Sequence, residues 1–308
     1  MISLEPNARE KRVATQAQLT LFSPVKVNLY LRIVGKRSDG YHELETVMAP
    51  LDFGDTLTFE PLSSGITLRC DNPSLPTDDS NLVVRAAKRL AERFGVKRGA
   101  AITLVKRAPL AAGIGGGSSN AAFTLLGLNR LWELNATKAQ LGEVAAALGS
   151  DINFFLEGGV ALCRGRGERV EPVPCRLAAH VLLVNPGFGI STKWAYESWA
   201  KAAAGLTAAP SDVSVLLRAL AENDLAGVGA GMYNSLEAPS VGKFPVLELL
   251  KRRMRDAGAA GAMMSGSGAS VFGLFARKTD AEVAAAQIRA QFGPSAWAWV
   301  CQFGCPVV

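Results

Sequence analysis

The densest chemical signal in the chain is a run of glycines followed by two serines: Pro109-Leu110-Ala111-Ala112-Gly113-Ile114-Gly115-Gly116-Gly117-Ser118-Ser119-Asn120-Ala121-Ala122. Four glycines within five positions permit backbone angles that a Cβ forbids, and they let a ligand approach the main chain. A helical pattern follows through Leu134, so the loop opens a helix whose unpaired N–H groups and dipole attract anions. The obvious anion is a phosphate. No Gly-Lys-Ser/Thr closes the loop, which excludes a Walker A motif, and Ser118 stands where a dinucleotide fingerprint needs its third glycine. The plain structural alternative is a glycine-rich turn between two packed elements.

Other polar groups of suitable type are scattered along the chain. Residues 25–33 alternate in period two, with Val25, Val27, Leu29, Leu31 and Ile33 on one face and Lys26 and Asn28 on the other. An ammonium and an amide so spaced can both reach into a cleft, or the lysine can face solvent from a half-exposed strand. Asp151 precedes Ile152-Asn153-Phe154-Phe155-Leu156, and a lone carboxylate ahead of so apolar a stretch is either a helix cap or a working acid. Tyr41-His42 offers a flat ring and a hydrogen-bonding edge, which suits a nucleobase or the anchoring of a packed loop. Lys106-Arg107, just ahead of the glycine loop, could complement phosphate oxygens.

The elements that must position these groups can be read from pattern. Residues 19–22 form a strand ending at Ser23-Pro24, and 46–68 form strands with turn signals at Gly54-Asp55 and Ser63-Ser64-Gly65. Asp78-Asp79-Ser80-Asn81 caps a helix over 82–94, and 101–105 is a strand. Thr137 and Gln140 make a capping box for a helix ending at Gly149. A strand over 158–163 leads to a domain boundary near Pro172-Val173-Pro174. Beyond it come a strand at 179–185 and a helix capped by Ser191-Thr192 that carries Trp194, Tyr196 and Trp199. Helices at 213–221, 224–232 and 244–257 follow, then a second glycine loop at 264–270, a strand at 271–275, a helix at 279–292 and a strand at 296–300. That order indicates an α+β second domain resembling a split βαβ unit.

Composition narrows the function classes. The 308 residues suit one large or two ordinary domains, and 49% hydrophobic with 19% charged residues describes a globular chain with a sizeable core. No apolar run is long enough to span a bilayer. Residues 1–18 are polar and mixed in charge, without a signal-peptide core, and read as a mobile extension. The five cysteines (Cys70, Cys163, Cys175, Cys301 and Cys305) lack metal-site pairing and fit inert, reduced thiols in the cytoplasm. Only two histidines occur, which limits zinc clusters and histidine-based catalysis; His180 heads an apolar strand and reads as structural. The net charge of +6 is dispersed, and its one dense run, Lys251-Arg252-Arg253-Met254-Arg255, belongs to a helix face rather than a nucleic-acid patch.

Three islands together carry a resemblance. Pro24-Val25-Lys26-Val27-Asn28, the 109–122 loop and Ser265-Gly266-Ser267-Gly268-Ala269 resemble the three motifs of the GHMP kinases. With Gly40-Tyr41-His42 and Gly149-Ser150-Asp151, the chain resembles the branch that phosphorylates 4-diphosphocytidyl-2-C-methyl-D-erythritol in the non-mevalonate isoprenoid pathway. The likeness runs from Leu19 to about Val300. It implies an α+β, two-domain GHMP kinase fold. Residues 19–173 would form a ribosomal-protein-S5-like ATP-binding domain and 174–308 a ferredoxin-like substrate domain, with a cleft between them.

The same resemblance implies roles. ATP, with Mg²⁺, would lie across residues 109–119, with Asn81 and Lys106 near its adenine end. Either Ser118 or Ser119 would help to hold the metal. Lys26 and Asp151 would be the catalytic pair, Asp151 accepting or orienting the proton of the C2 hydroxyl that receives the γ-phosphoryl group. Asn28 would contact the methylerythritol part, and Thr192 would lie near the substrate. Tyr41 and His42 would hold cytosine, with Tyr196 stacking from the second domain, while Gly266 and Gly268 would shape the cleft beside the substrate phosphates. The partner is then a small molecule, with no nucleic acid and no membrane, and the protein a monomer or homodimer. Three positions depart from the usual pattern: Ile114 for leucine, Ser150 for alanine and Asn153 for proline.

Overall fold

The computed structural model describes residues 18–202 and 212–304. The extension read over 1–18 lies outside the described residues except for Gln18, and so does Cys305. The first sheet is organised by a long antiparallel hairpin of β1 (Leu19–Lys36) and β2 (His42–Leu62). β3 (Ile66–Cys70) leads to helix α1 (Leu82–Phe94), whose N-cap Asn81 accepts the Val83 N–H at 2.9 Å, as the capping residues suggest. β4 (Gly99–Val105) then pairs with both β2 and β3.

Helices α2 (Gly116–Leu131), α3 (Lys138–Ala146) and α4 (Ile152–Glu157) follow. The Thr137–Gln140 capping box is formed at the start of α3. Leu57, Phe59, Leu90, Leu125 and Trp132 fill the core between these helices and the sheet. β5 (Ala161–Gly165) pairs with β2, and β6 (Arg169–Pro172) with β5.

Past residue 173 the chain builds a second sheet. Its elements are β7 (His180–Asn185), α5 (Thr192–Ala202), α6 (Val213–Glu222), α7 (Leu225–Gly231), β8 (Tyr233–Asn234), α8 (Glu237–Lys243), α9 (Val246–Asp256), β9 (Gly261–Met264), β10 (Val271–Phe275), α10 (Lys278–Phe292) and β11 (Trp297–Gln302). The strand order is β11-β7-β10-β9, antiparallel throughout. β8 leaves this half and pairs in parallel with β1 of the first sheet. The result is a two-domain α+β fold. No helix among the described residues is long and apolar enough to cross a membrane.

Two expectations need correction, and one open alternative is set aside. β1 does not end at Ser23-Pro24; it continues, with a shift of register between Pro24 and Lys26 that absorbs the proline. Gly54-Asp55 is not a turn: β2 runs straight through it, because Gly54 pairs with Pro24 and Asp55 turns its carboxylate inward. Nor is the strand bearing Lys26 half-exposed. Its Val25, Val27 and Leu29 face joins the core of the second half, with Leu183 and Phe272, so both faces of β1 are covered. β8 and α8, like the four-residue β6, are not legible in the sequence: two residues show no period, and α8 contains Pro239 and Gly242.

Candidate active site

Lys26 and Asn28 sit between irregularities in β1, with register shifts at Pro24/Lys26 and Asn28/Tyr30. Such irregularities re-aim side chains and release backbone groups from the ladder. Here the Lys26 N–H donates to the Ile114 carbonyl at 2.9 Å, and the Asn28 N–H to Ser265 Oγ at 3.4 Å. Ser265 Oγ donates in turn to the Gly113 carbonyl at 3.0 Å, and the Ser270 N–H donates to the Ala112 carbonyl at 3.1 Å. The three sequence islands are thus fastened to one another through main-chain groups and the Ser265 hydroxyl.

At their meeting point the Lys26 ammonium donates to Asn28 Oδ1 at 2.5 Å and stands 3.3 Å from Asp151 Oδ2. Asn28 is oriented by donating to Thr46 Oγ1 at 2.9 Å, and Thr46 donates to the Tyr30 carbonyl at 2.6 Å. The side chain of Lys26 is 4% exposed and that of Asp151 35%. A buried ammonium needs such partners. Asp151 occupies the N-terminal position of α4, yet its side chain makes no capping bond. Of the two sequence alternatives, the helix cap is therefore set aside.

The glycine loop passes directly over this pair. Gly115 has φ +71°, and a Cβ there would meet the Lys26 stem at 3.0 Å and Phe155 at 3.1 Å, so any other residue would be strained in its backbone and would press on both. Gly115 is also the N-cap of α2, which places the backbone of Gly116, Gly117 and Ser118 in its first turn. A cavity of about 520 Å³ opens there, lined by Asn81, Lys106 and every residue from Pro109 to Ser118. Ser119 is absent from its wall: it is fully buried, and its hydroxyl lies 2.8 Å from Ser23 Oγ. One helical step separates the serines, and only Ser118 faces the cavity.

Lys106 is not the free cation that its place suggested. Its ammonium pairs with Asp55, which sequence reading took for a turn residue. Asp55 also accepts the N–H groups of Arg107 at 2.8 Å and Ala108 at 2.9 Å. Asn81, besides capping α1, donates to the Pro76 carbonyl at 2.6 Å.

A second cleft, of about 880 Å³, lies on the other side of the loop. Its wall includes Lys26, Asn28, Tyr41, His42, Asp151, Thr192, Tyr196 and Gly266. Ala111, Gly113 and Gly115 line both cavities, so the two meet at the loop, beside Lys26 and Asp151. Gly268 does not reach this wall; it turns the loop behind, against Met264 and Ile190.

At the far end of the cleft, His42 stacks on Tyr196 with ring centroids 5.1 Å apart and planes at 24°. Tyr41 is 55% exposed and carries the Arg166 guanidinium over its ring at 5.0 Å. Burial, and then the charge of Lys36, hold His42 below its ordinary value, so the imidazole is neutral at pH 7. Burial, and then the charge of Asp151, push the Tyr196 phenol up, so its hydroxyl stays protonated. Burial followed by the same carboxylate raises the Cys163 thiol to about 12, which makes it inert, as the scattered cysteines suggested.

Thr46, Asp55 and Arg166 escaped sequence reading, because each depends on partners that lie far along the chain or across the cleft. The arrangement as a whole sets an ammonium and a partly open carboxylate where an anion-binding helix N-terminus meets a cleft with an aromatic end. That is equipment for moving a phosphoryl group.

Known proteins resemble this chain in sequence and fold. Residues 81–159 match the model of the GHMP kinases N terminal domain, and 216–294 match that of the GHMP kinases C terminal. The 4-diphosphocytidyl-2-C-methyl-D-erythritol kinase of Pelotomaculum thermopropionicum is 42% identical over 273 residues, covering 88% of this chain and 94% of that protein. The enzyme of the same name from Syntrophus aciditrophicus is 42% identical over 283 residues, covering 92% and 98%. A crystal structure of 4-(cytidine 5'-diphospho)-2C-methyl-D-erythritol kinase superposes with a TM-score of 0.80 at 36% identity, over 94% of this chain and 100% of that one. The chain belongs to the GHMP kinases, in the branch formed by these 4-diphosphocytidyl-2-C-methyl-D-erythritol kinases.

Proposed function

We propose that this protein transfers the γ-phosphoryl group of ATP to the C2 hydroxyl of 4-diphosphocytidyl-2-C-methyl-D-erythritol. The products are ADP and the 2-phosphate, an intermediate of the non-mevalonate isoprenoid route. One observation carries the reading: the Lys26–Asp151 pair, 3.3 Å apart, stands where two cavities meet across one glycine loop. The nucleotide cavity is lined only by residues before the crossover near 173 and the acceptor cleft by residues from both sides of it, which fits a cleft between domains at 19–173 and 174–308.

The triphosphate lies on the α2 side, its charge met by the N–H groups of the first helical turn, which need no reorganisation during transfer. Asn81 and Lys106 also line that cavity and take the adenine side. No group of three or more His, Cys, Asp or Glu able to hold a metal occurs among the described residues. Mg²⁺ would therefore draw most of its ligands from the phosphates, with the Ser118 hydroxyl as the fitting protein group; when bound it neutralises phosphate charge.

On the acceptor side, Asn28 contacts the methylerythritol part, Thr192 lies near the substrate, and the backbone at Gly266 shapes the cleft beside the substrate phosphates. Tyr41, His42 and Tyr196 recognise cytosine; with one ring face on Tyr196, His42 has its edge to offer. Asp151 takes the proton of the C2 hydroxyl as the new bond forms. Lys26 offsets negative charge gathering on the transferred group. A loose transition state leaves most of the catalysis to placement and charge, which suits a crowded tertiary alcohol.

The test is incubation with ATP, Mg²⁺ and the cytidine acceptor, read by mass, beside mevalonate, homoserine and galactose. Gain of one phosphoryl group by the cytidine acceptor alone is expected. Phosphorylation of another acceptor in its place, or ATP binding with no transfer to any, would refute the reading.

A further inference from the structure

The 264–270 loop is held from two sides, and only one of them has been described. On that side, Ser265 and Ser270 bond the glycine loop. On the other stands Asn234, 6% exposed, on β8. Its Nδ2 donates to the carbonyls of Met264 and Gly266, each at 2.8 Å, and its Oδ1 accepts the Leu236 N–H at 2.9 Å. An amide carries two donors beside its acceptor, so one side chain satisfies all three bonds.

The position of this amide is set by β1. Asn234 pairs with Leu31, and the Ser235 N–H donates to the Leu31 carbonyl at 2.8 Å. Glu237 assists from α8: it accepts the Met264 N–H at 2.7 Å and pairs with Lys251 at 3.0 Å. Thus the strand that carries Lys26 and Asn28 also fixes, through Asn234, the loop that faces them.

The spacing matters at Gly266. A Cβ at this residue would come 3.2 Å from Asn28 Oδ1 and 2.9 Å from the Gly113 carbonyl. The loop therefore rests against the same Asn28 oxygen that receives the Lys26 ammonium. We propose that Asn234, seconded by Glu237, is a positioning residue for phosphoryl transfer. Its amide sets the height of the Gly266–Ser267 segment over Asn28, and so the seat of Lys26 against Asp151. The proposal rests on the kinase reading given above.

Asn234→Leu removes both donors without adding charge. With ATP and the cytidine acceptor, its kcat should fall about tenfold to a hundredfold, the scale of a misplacement of about 1 Å. The KM for ATP should stay within about twofold of wild type, because no residue lining the nucleotide cavity bonds Asn234 directly. A merely structural role would lower the melting temperature and leave the kcat of the folded enzyme alone, so a folded Asn234→Leu protein with wild-type kcat overturns the proposal.

Should Asn234→Leu fail to fold, Glu237→Gln and Glu237→Ala decide the matter. Glutamine keeps an acceptor for the Met264 N–H while losing the Lys251 pair, so thermal stability should drop with kcat near wild type. Alanine loses both, and kcat should fall as well. Equal kcat in the two variants overturns the proposal. Wild-type enzyme assayed alongside separates the two failures. If the wild type does not phosphorylate the acceptor, the kinase reading fails; if it does and the variants match it, the positioning role alone fails.

Discussion

Two lysine–aspartate pairs flank the glycine loop, built from the same groups and set in different surroundings. In the Lys106–Asp55 pair the side chains are 4% and 0% exposed, and the carboxylate is sealed, taking also the N–H groups of Arg107 and Ala108. Lys26 is equally buried, but its partner Asp151 is 35% exposed and faces the cleft. The sealed carboxylate spends its capacity inside the protein and fixes residues 106–108 under the start of α2. The open one keeps capacity for a proton or a hydroxyl. An ion pair is therefore not in itself a mark of catalysis; unspent capacity at a cavity wall is.

The contrast can be broken by substitution. Lys26→Met should lower kcat about a hundredfold to a thousandfold, the range for loss of one charge-stabilising group, with little change in melting temperature. Asp151 can rehydrate from its exposed side, so the variant should fold. If stability fell and turnover did not, the two pairs would be alike. Asp55→Asn should behave in the opposite way. It strands a buried ammonium, at a cost of about 3–5 kcal/mol in chemical unfolding. The kcat of the folded fraction should fall far less than in Lys26→Met.

Smaller effects sharpen the comparison at the aromatic end of the cleft. His42→Ala should raise the KM for the cytidine acceptor about tenfold, through loss of one hydrogen bond and one ring stack, and leave ATP affinity unchanged. Equal loss of ATP affinity would remove His42 from the base site. A pH series gives the smallest effect. His42 titrates below its ordinary 6.5 in the folded chain, so between 6.5 and that lower value the unfolded chain binds a proton that the folded chain refuses. Stability from this group is present above pH 6.5 and is lost as the pH falls through the window. The acceptor KM should rise a few-fold only as the pH falls through the lower, folded-state value, where the folded imidazole takes up its proton, and should not in His42→Ala.

What could be read from the sequence was local. The glycine loop, the Asn81 cap, the Thr137–Gln140 box and the period-two face of Lys26 and Asn28 each depend on neighbours within a few residues. They appear where the pattern put them. What could not be read depends on distance. The cover over Val25, Val27 and Leu29 arrives with Phe272, far along the chain, so the strand looked half-exposed. Gly54-Asp55 has the composition of a turn, and only the backbone of Arg107 and Ala108 explains an aspartate inside a strand. Which of Ser118 and Ser119 faces the cavity depends on the rotation of one helical step, which composition does not record. The stacking of His42 on Tyr196 joins two halves of the chain whose approach no periodicity encodes.

The central claim is that the Asp151 carboxylate, seated on Lys26, works on the acceptor hydroxyl between two cavities. The direct measurement is kcat for Asp151→Asn on ATP and the cytidine acceptor, with equilibrium binding of each ligand determined on the same preparation. The expected result is a loss of about two to four orders of magnitude in kcat, the range for a general base, with both ligands bound as in wild type. Turnover near the wild-type rate in a folded Asp151→Asn protein would contradict the account.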